Sequence, residues 1–416
     1  MKYKICSLGC KVNEYEKNGM DHLLKEAGYL PTSDIADIYV INTCTVTNTA
    51  NNKSLKMIRH CRREAKNAIL LVCGCASQIY TDQVKKEDVN IIIGNVGKSK
   101  IIDYIKKYQK EKKQIIEVED ITKNTPFEPM KVIDFNKTRA FVKIQDGCNN
   151  FCSYCIIPYS RGNLRSRDIV DIIKEIKTLI KENHHEIVLT GIHTGHYQYQ
   201  NYDLADLITE IVKIPGLQRL RISSIEITEL NDKMLDCLRK YPTLVDHLHI
   251  PLQSGSNEIL KQMNRKYDKE YFIEKVKTIR TIRPDISITT DVIVGFPGEA
   301  DELFQETIDT ILKISFSGLH VFPYSKRDNT KAALMKDQIK EEIKKERVHQ
   351  LLKLSTTLEI NYMNKFIGRE VDIIPEVTLD NYTIGHTGNY LSVKTKKRVT
   401  KTTIKDIEYP NCIGTD

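Results

Sequence analysis

The sequence predicts an α/β protein in three parts. These are an N-terminal parallel α/β domain over residues 1–110, a central partial (βα)6 barrel over 134–364, and a small β module over 365–416. Three observations carry that prediction. Short β-branched runs alternate with amphipathic helical patterns from Met1 to Tyr108 and again from Arg139 to Ser325, the rhythm of parallel strands joined by helices. The Lys-rich stretch Lys106–Lys113 and a passage around Pro126 and Pro129 interrupt that rhythm once. After Gly368 the texture changes to short strand patterns set apart by Gly and Asn.

In the first region Tyr3–Ser7 reads as a strand and Tyr15–Ala27 as a helix capped by Gly28. Ile38–Asn42 (IYVIN) and Ala68–Cys73 (AILLVC) are continuous apolar runs of strand length, with the helix Lys53–Lys66 between them. Asn90–Ile93 is a further strand before the helix Lys98–Tyr108. In the second region the expected strands are Phe141–Gln145, Ile187–Gly191, Arg219–Ser223, His247–Pro251, Ser287–Val294 and Gly318–Phe322. Helical patterns such as Ile169–Glu182 and Asp301–Lys313 follow them. In folds of this kind the chemistry sits in loops beyond the carboxyl ends of the strands. Ile339–Asn364 is a long charged helix, and Val371–Ile374, Thr383–His386 and Tyr390–Lys394 are short strands of the tail.

Composition narrows the class. The chain has 416 residues, 40% apolar and 28% charged, which excludes collagen-like, low-complexity and disordered chains. Its longest nearly apolar run, Ala68–Ala76, falls far short of the roughly 20 residues of a membrane helix. Met1–Cys6 alternates like a strand and has no signal-peptide core. A cytoplasmic protein with no membrane association is therefore expected. In a reducing compartment the 11 cysteines do not form a disulfide scaffold, and metal or redox chemistry becomes their leading use. The net charge of +8 permits a polyanionic partner without requiring one.

The strongest signal is Gly147-Cys148-Asn149-Asn150-Phe151-Cys152-Ser153-Tyr154-Cys155, directly after the first barrel strand. Three thiolates at C-x3-C-x2-C spacing repel one another unless they share a metal. Three ligands suit a cubane iron–sulfur cluster with one iron left open. A structural zinc wants a fourth Cys or His, and none follows before Arg165. Later loops carry Gly191-Ile192-His193-Thr194-Gly195, Ser223-Ser224-Ile225-Glu226, Pro251-Leu252-Gln253-Ser254-Gly255-Ser256 and Gly295-Phe296-Pro297-Gly298-Glu299. Glycines at such a rim let a ligand approach the backbone closely.

A second constellation lies in the first region. Cys10 follows the first strand, Cys44 the second and Cys75 the third. The carboxyl ends of parallel strands share one edge, so these three thiols can converge on a second cluster. Cys73, two residues from Cys75, is a rival ligand.

The cluster loop resembles that of the radical S-adenosylmethionine enzymes. Leu8-Gly9-Cys10-Lys11-Val12-Asn13, Asn42-Thr43-Cys44-Thr45-Val46-Thr47, Thr190–Gly195, His247–Ser256 and His320–Arg327 extend the likeness over nearly the whole chain, to the methylthiotransferase family. That resemblance implies two 4Fe–4S clusters, an auxiliary one on Cys10, Cys44 and Cys75 and a radical one on Cys148, Cys152 and Cys155. Cys75 is preferred to Cys73 because it fits the family's Gly-Cys-Ala loop. The resemblance further implies S-adenosyl-L-methionine as co-substrate, with Tyr154, Gly191, Ser223, Glu226 and Gly295 as its contacts. It implies tRNA and an external electron donor as partners, and a TRAM-like RNA-binding tail that is short by a strand or so. The implied reaction is methylthiolation of carbon 2 of N6-threonylcarbamoyladenosine beside the anticodon, with no protein acid or base named as catalytic. Sibling reactions act on isopentenyladenosine in tRNA or on a ribosomal-protein aspartate, and a non-catalytic iron–sulfur RNA binder is the reading from another class. Arg161, Arg165, Lys396, Lys397 and Arg398 are the expected RNA contacts. The helix from Lys53 to Lys66 and the tail from Lys394 to Lys405 each carry six positive charges.

Overall fold

Two fully buried runs, IYVINT and ILLVCG, form the centre of the N-terminal sheet. The computed structural model describes residues 1–123, 125–133, 135, 138–379 and 381–415. Asp134 and Asp416, where two of the expected domains begin and end, lie outside the described residues. The sheet has six parallel strands: β1 (Lys2–Ser7), β2 (Leu30–Pro31), β3 (Ile38–Thr43), β4 (Ile69–Gly74), β5 (Ile91–Ile93) and β6 (Ile115–Glu117). Their spatial order is β2-β1-β3-β4-β5-β6. The order reverses between β1 and β3, and in doubly wound sheets ligands bind at that switch point. The short outer strands β2 and β6 were not expected. They carry two and three residues, too few to show a periodicity. The helix predicted from Tyr15 starts at Lys11. Gly28 takes the left-handed conformation expected of a cap, at φ +81°.

The chain divides into two compact units. The first comprises Met1–His184, Val188–Leu207 and Ser325–Ala333, and the second His185–Ile187, Ile208–Tyr324 and Leu334–Asp416. The first unit holds the N-terminal sheet and the strand Arg139–Lys143. Strand Arg139–Lys143 leads through Gln145–Asp146 into the cluster loop. Helix Ile169–Lys181 is capped by Asp168, which accepts from the amide of Val170 at 2.8 Å. It buries Ile169, Ile172, Ile176 and Leu179, one face of a helix.

In the second unit strands His247–His249, Ser287–Val294 and Gly318–Pro323 run parallel in that order. Helix Asp301–Ile314 buries Phe304, Thr307, Ile311 and Ile314 on one face. The helix Glu341–Asn364 ends in Tyr362 and Met363, which join Ile373, Leu391, Val393, Ile404 and Cys412 in the core of the tail. That tail is a closed five-stranded barrel of Glu370–Leu379, Tyr382–Thr387, Ser392–Thr395, Asn411–Gly414 and Lys401–Glu408. The strand patterns of the sequence end at Lys394, which leaves the module a strand short. The structure corrects this: the last two strands complete the circuit and close the barrel. Arg221 ties the barrel to the strand Arg219–Ile222, donating to the carbonyls of Gly388 at 2.8 Å and Thr387 at 3.0 Å.

Candidate functional site

Cys10, Cys44 and Cys75 all stand just beyond the carboxyl ends of adjacent strands. Cys10 stands at the N-cap position of helix Lys11–Glu26. Cys44 is buried after β3, and the Ser54 hydroxyl holds its backbone by accepting from the amide at 3.1 Å and donating to the carbonyl at 3.0 Å. Cys75 opens a short helix after β4. Two glycines let these loops pack closely. A Cβ on Gly9, at φ +111°, would stand 2.9 Å from the Sγ of Cys44. One on Gly74, at φ +103°, would stand 2.6 Å from the carbonyl oxygen of Thr43. Asn13 joins the loops, donating to the carbonyls of Leu8 at 2.6 Å and Thr43 at 3.2 Å. Burial, then the nearby Cys75 and Cys10 thiols, push the Cys44 thiol up to about 11. Metals bind thiolates, so a cation among these residues would offset the cost that burial places on Cys44.

Cys73 points elsewhere. It lies within the buried strand β4, 3.8 Å from the Oδ1 of Asn42 and 3.9 Å from the sulfur of Met20. Burial pushes its thiol up to about 12. Cys73→Ala is expected to leave the iron content of the purified protein unchanged, as is Cys237→Ala, since Cys237 packs in helix Asp232–Lys240. Iron analysis of both variants checks this; loss of cluster iron in the first would make Cys73 the ligand.

Behind the three thiols lies a buried ionic cluster that no sequence spacing announces. Glu16 pairs with Lys98 at 2.6 Å, Lys143 at 2.9 Å and Arg161 at 2.9 Å. Asp146 pairs with Lys143 at 2.7 Å, Arg161 at 3.2 Å and Arg165 at 3.1 Å. Burial acts to raise the Glu16 carboxyl, but Arg161, Lys143 and Lys98 together hold it well below the usual range. Asp146 behaves alike: burial raises it, and Lys143, Arg161 and Arg165 bring it far down. Four cations therefore face two carboxylates. The excess is positive, and Arg161 feels both Cys75 and Cys10. Its Nη2 donates to Asn13 at 2.7 Å, while its Nε is buried with no hydrogen-bond partner among the described residues. Asn95 donates to the Sγ of Cys75 at 3.5 Å. This surrounding suits an anionic iron–thiolate group.

The cluster corrects two expectations. Arg161 and Arg165 were expected to contact RNA. Arg161 is fully buried and Arg165 nearly so, and both are engaged by Asp146, so neither can reach a phosphate.

Asp146 also leads into the second cysteine group. Its carboxylate accepts from the amide of Gly147 at 2.8 Å. A Cβ on Gly147, at φ +73°, would lie 2.0 Å from the carbonyl oxygen of Asn163, so only glycine fits. The amide of Cys148 then donates to Gly162 at 3.0 Å, and that of Cys155 to Cys152 at 3.0 Å. All three thiols are half-buried, as is Tyr154 between them. The Sγ of Cys148 lies 3.6 Å from the Nδ1 of His193.

Of the other expected contacts, Gly191 belongs to the first unit, and its Cβ position is only 3.0 Å from the Oε1 of Gln145. Ser223, Glu226 and Gly295 belong to the second. Ser223 is buried. Glu226 pairs with Arg265 at 2.9 Å and shares a capping box with Glu229. Gly295, at φ +68°, is approached by the stem of Lys344, and its amide donates to Glu299 at 2.5 Å. Lys396, Lys397 and Arg398 form an exposed turn on the tail barrel. The flanking Lys394 and Lys401 are partly offset by Glu408, Glu370 and Asp372. On the helix Asn48–Glu64, Arg59 and Arg62 pair with Glu87 and Asp88, which removes them from a free basic face.

Residues 142–311 match the model of the radical SAM superfamily, and residues 2–94 that of an uncharacterised protein family, UPF0004. The fold agrees. A solved radical S-adenosylmethionine methyltransferase, TsrM from Kitasatospora setae, superposes at a TM-score of 0.59 with 14% identity, over 80% of this chain and 77% of that one. The class is thus that of radical S-adenosylmethionine enzymes. Among curated proteins, the threonylcarbamoyladenosine tRNA methylthiotransferase MtaB of Bacillus subtilis is 44% identical over 93% of this chain and 88% of its own length. The tRNA-2-methylthio-N(6)-dimethylallyladenosine synthase of Acetivibrio thermocellus is 35% identical over 90% and 80%. The chain belongs to the tRNA methylthiotransferase family. No helix among the described residues is long and apolar enough to cross a membrane.

Proposed function

We propose that this chain transfers a methylthio group to carbon 2 of N6-threonylcarbamoyladenosine beside the anticodon of tRNA. The 44% identity to a relative of that activity across 93% of the chain carries the reading; the dimethylallyladenosine relative shares 35%. Cys148, Cys152 and Cys155 are the ligands of the radical 4Fe–4S cluster, and Cys10, Cys44 and Cys75 those of the auxiliary one. When bound, these clusters and S-adenosyl-L-methionine supply the methyl group, the sulfur and the one-electron chemistry that an unactivated C–H bond needs.

The chain's own residues hold and insulate. Gly9 and Gly74 let the cysteine loops pack closely, Asn13 ties two of them, and Arg161 brings positive charge to buried sulfur. Tyr154, Gly191, Ser223, Glu226 and Gly295 remain the proposed contacts of S-adenosylmethionine. The partners are tRNA and an external electron donor, in the cytoplasm. Reconstituted protein, given reductant, S-adenosylmethionine and tRNA bearing threonylcarbamoyladenosine, is expected to form the 2-methylthio nucleoside. Product only from dimethylallyladenosine-bearing tRNA would transfer the reading to the sibling activity.

Lys396, Lys397 and Arg398 are the proposed phosphate ligands. Replacing all three by Ala should weaken tRNA binding and lower the slope of log affinity against log salt by about 0.7–0.9 for each phosphate no longer neutralised. A salt titration of binding checks it; an unchanged slope would remove the turn from the interface.

A further inference from the structure

His249, Asp291 and His320 stand on three neighbouring parallel strands of the second unit. Thr289 lies opposite His249, and His320 opposite Asp291. Side chains alternate across a strand. Ile288, Thr290, Val292 and Val294 are buried on one face of the middle strand, whereas Thr289, Asp291 and Ile293 are partly open on the other. The open face carries a hydrogen-bonded row. Asp291 Oδ1 lies 3.2 Å from the Nε2 of His249 and 3.3 Å from the Nδ1 of His320. The Nδ1 of His249 lies 3.0 Å from the Thr289 hydroxyl. The two imidazoles stack, with centroids 5.1 Å apart and planes 26° apart.

Chemistry fixes the direction of these bonds. Burial acts to raise the Asp291 carboxyl, but hydrogen bonds from His249 and His320 hold it well below the usual range. An ionised carboxylate only accepts, so both nitrogens facing it carry hydrogen. His320 is the exposed member, with 60% of its side chain accessible. Its Nδ1 is committed to Asp291, which leaves Nε2 on the far edge of the ring. In the imidazolium form that edge is a second N–H donor, open to a carboxylate acceptor. One step further along the same face, Phe322 stands opposite Ile293 and is 42% exposed. An exposed aromatic ring beside the row is a surface on which a base can stack.

We propose that His320, held by Asp291 and His249, recognises the threonylcarbamoyl side chain of the substrate adenosine, donating to its carboxylate while Phe322 meets the base. This rests on the function proposed above and names the residue that reads the substituent. A dimethylallyl group is a hydrocarbon and offers the imidazole no partner. A site built around a hydrogen bond discriminates strongly against an analogue that lacks the group.

The test uses the full-length, cluster-loaded protein and tRNA bearing threonylcarbamoyladenosine. His320→Phe is expected to raise KM for that tRNA about 10- to 100-fold, the size of a lost hydrogen bond to a charged group. Cleavage of S-adenosylmethionine without tRNA should stay at the wild-type rate, which shows that the variant is folded and loaded. His320→Gln keeps a donor at similar reach and should recover most of the loss. A wild-type KM in His320→Phe overturns the inference while leaving the proposed function standing. Failure of the wild-type protein itself to modify this tRNA overturns both.

Discussion

Cys10→Ala should end methylthiolation while leaving reductive cleavage of S-adenosylmethionine in place, whereas Cys148→Ala should end both. The difference follows from where the thiols sit. Cys10 is the helix cap beyond β1, one of three thiols around Gly9 and Gly74. Cys148 belongs to the loop that Gly147 turns and the Gly162 carbonyl anchors. Two ligand groups make two separable losses. The check is paired product analysis, 5′-deoxyadenosine for cleavage and modified nucleoside for transfer. A Cys10→Ala variant that still modifies tRNA would remove the auxiliary cluster from the account.

The second large effect is expected at Arg161. Arg161→Met leaves Glu16 and Asp146 buried with one cation fewer and frees the amide of Asn13 that bridges two cysteine loops. Removing one partner of a buried charge network costs on the order of 3–5 kcal/mol, and iron retention should fall with it. Denaturant melts and iron analysis measure both. Wild-type stability and iron content in this variant would show that the network carries neither load.

The same network sets an acid limit. Glu16 and Asp146 are both depressed below their ordinary values of 4.5 and 3.8. Groups depressed in the fold stabilise it above those values, and that stability is lost as pH falls through the folded ones. The wild-type protein should therefore lose stability as pH drops below about 4.5, more steeply than Arg161→Met. Melting temperatures from pH 3 to 7 test the sign; a parallel decline in the two proteins would contradict it.

Much of the fold was legible because the decisive strands are long, apolar and β-branched. IYVIN and AILLVC, alternating with helical patterns, read as buried strands of a parallel sheet, and Cys44 and Cys75 follow them directly in sequence. Short edges were not legible: Leu30–Pro31 and Ile115–Glu117 have too few residues to show a period. The last two strands of the tail escape notice for a related reason. Lys401–Glu408 is strongly charged, and only Thr402 and Ile404 are buried in it. Arg161 and Arg165 mislead because a basic residue near a cluster loop looks like a phosphate ligand. Their partners, Glu16 and Asp146, are brought near by tertiary folding, with Glu16 145 residues from Arg161 in sequence. Nothing in the local pattern distinguishes a buried arginine from an exposed one. Asp291 reads as an ordinary strand residue until the register sets it beside His320.

The modified base is the central claim. Its most direct test is mass spectrometry of tRNA nucleosides from cells with and without this gene. In the deleted strain 2-methylthio-N6-threonylcarbamoyladenosine alone should disappear, and its unthiolated precursor should accumulate. Persistence of that nucleoside in the deleted strain would contradict the claim.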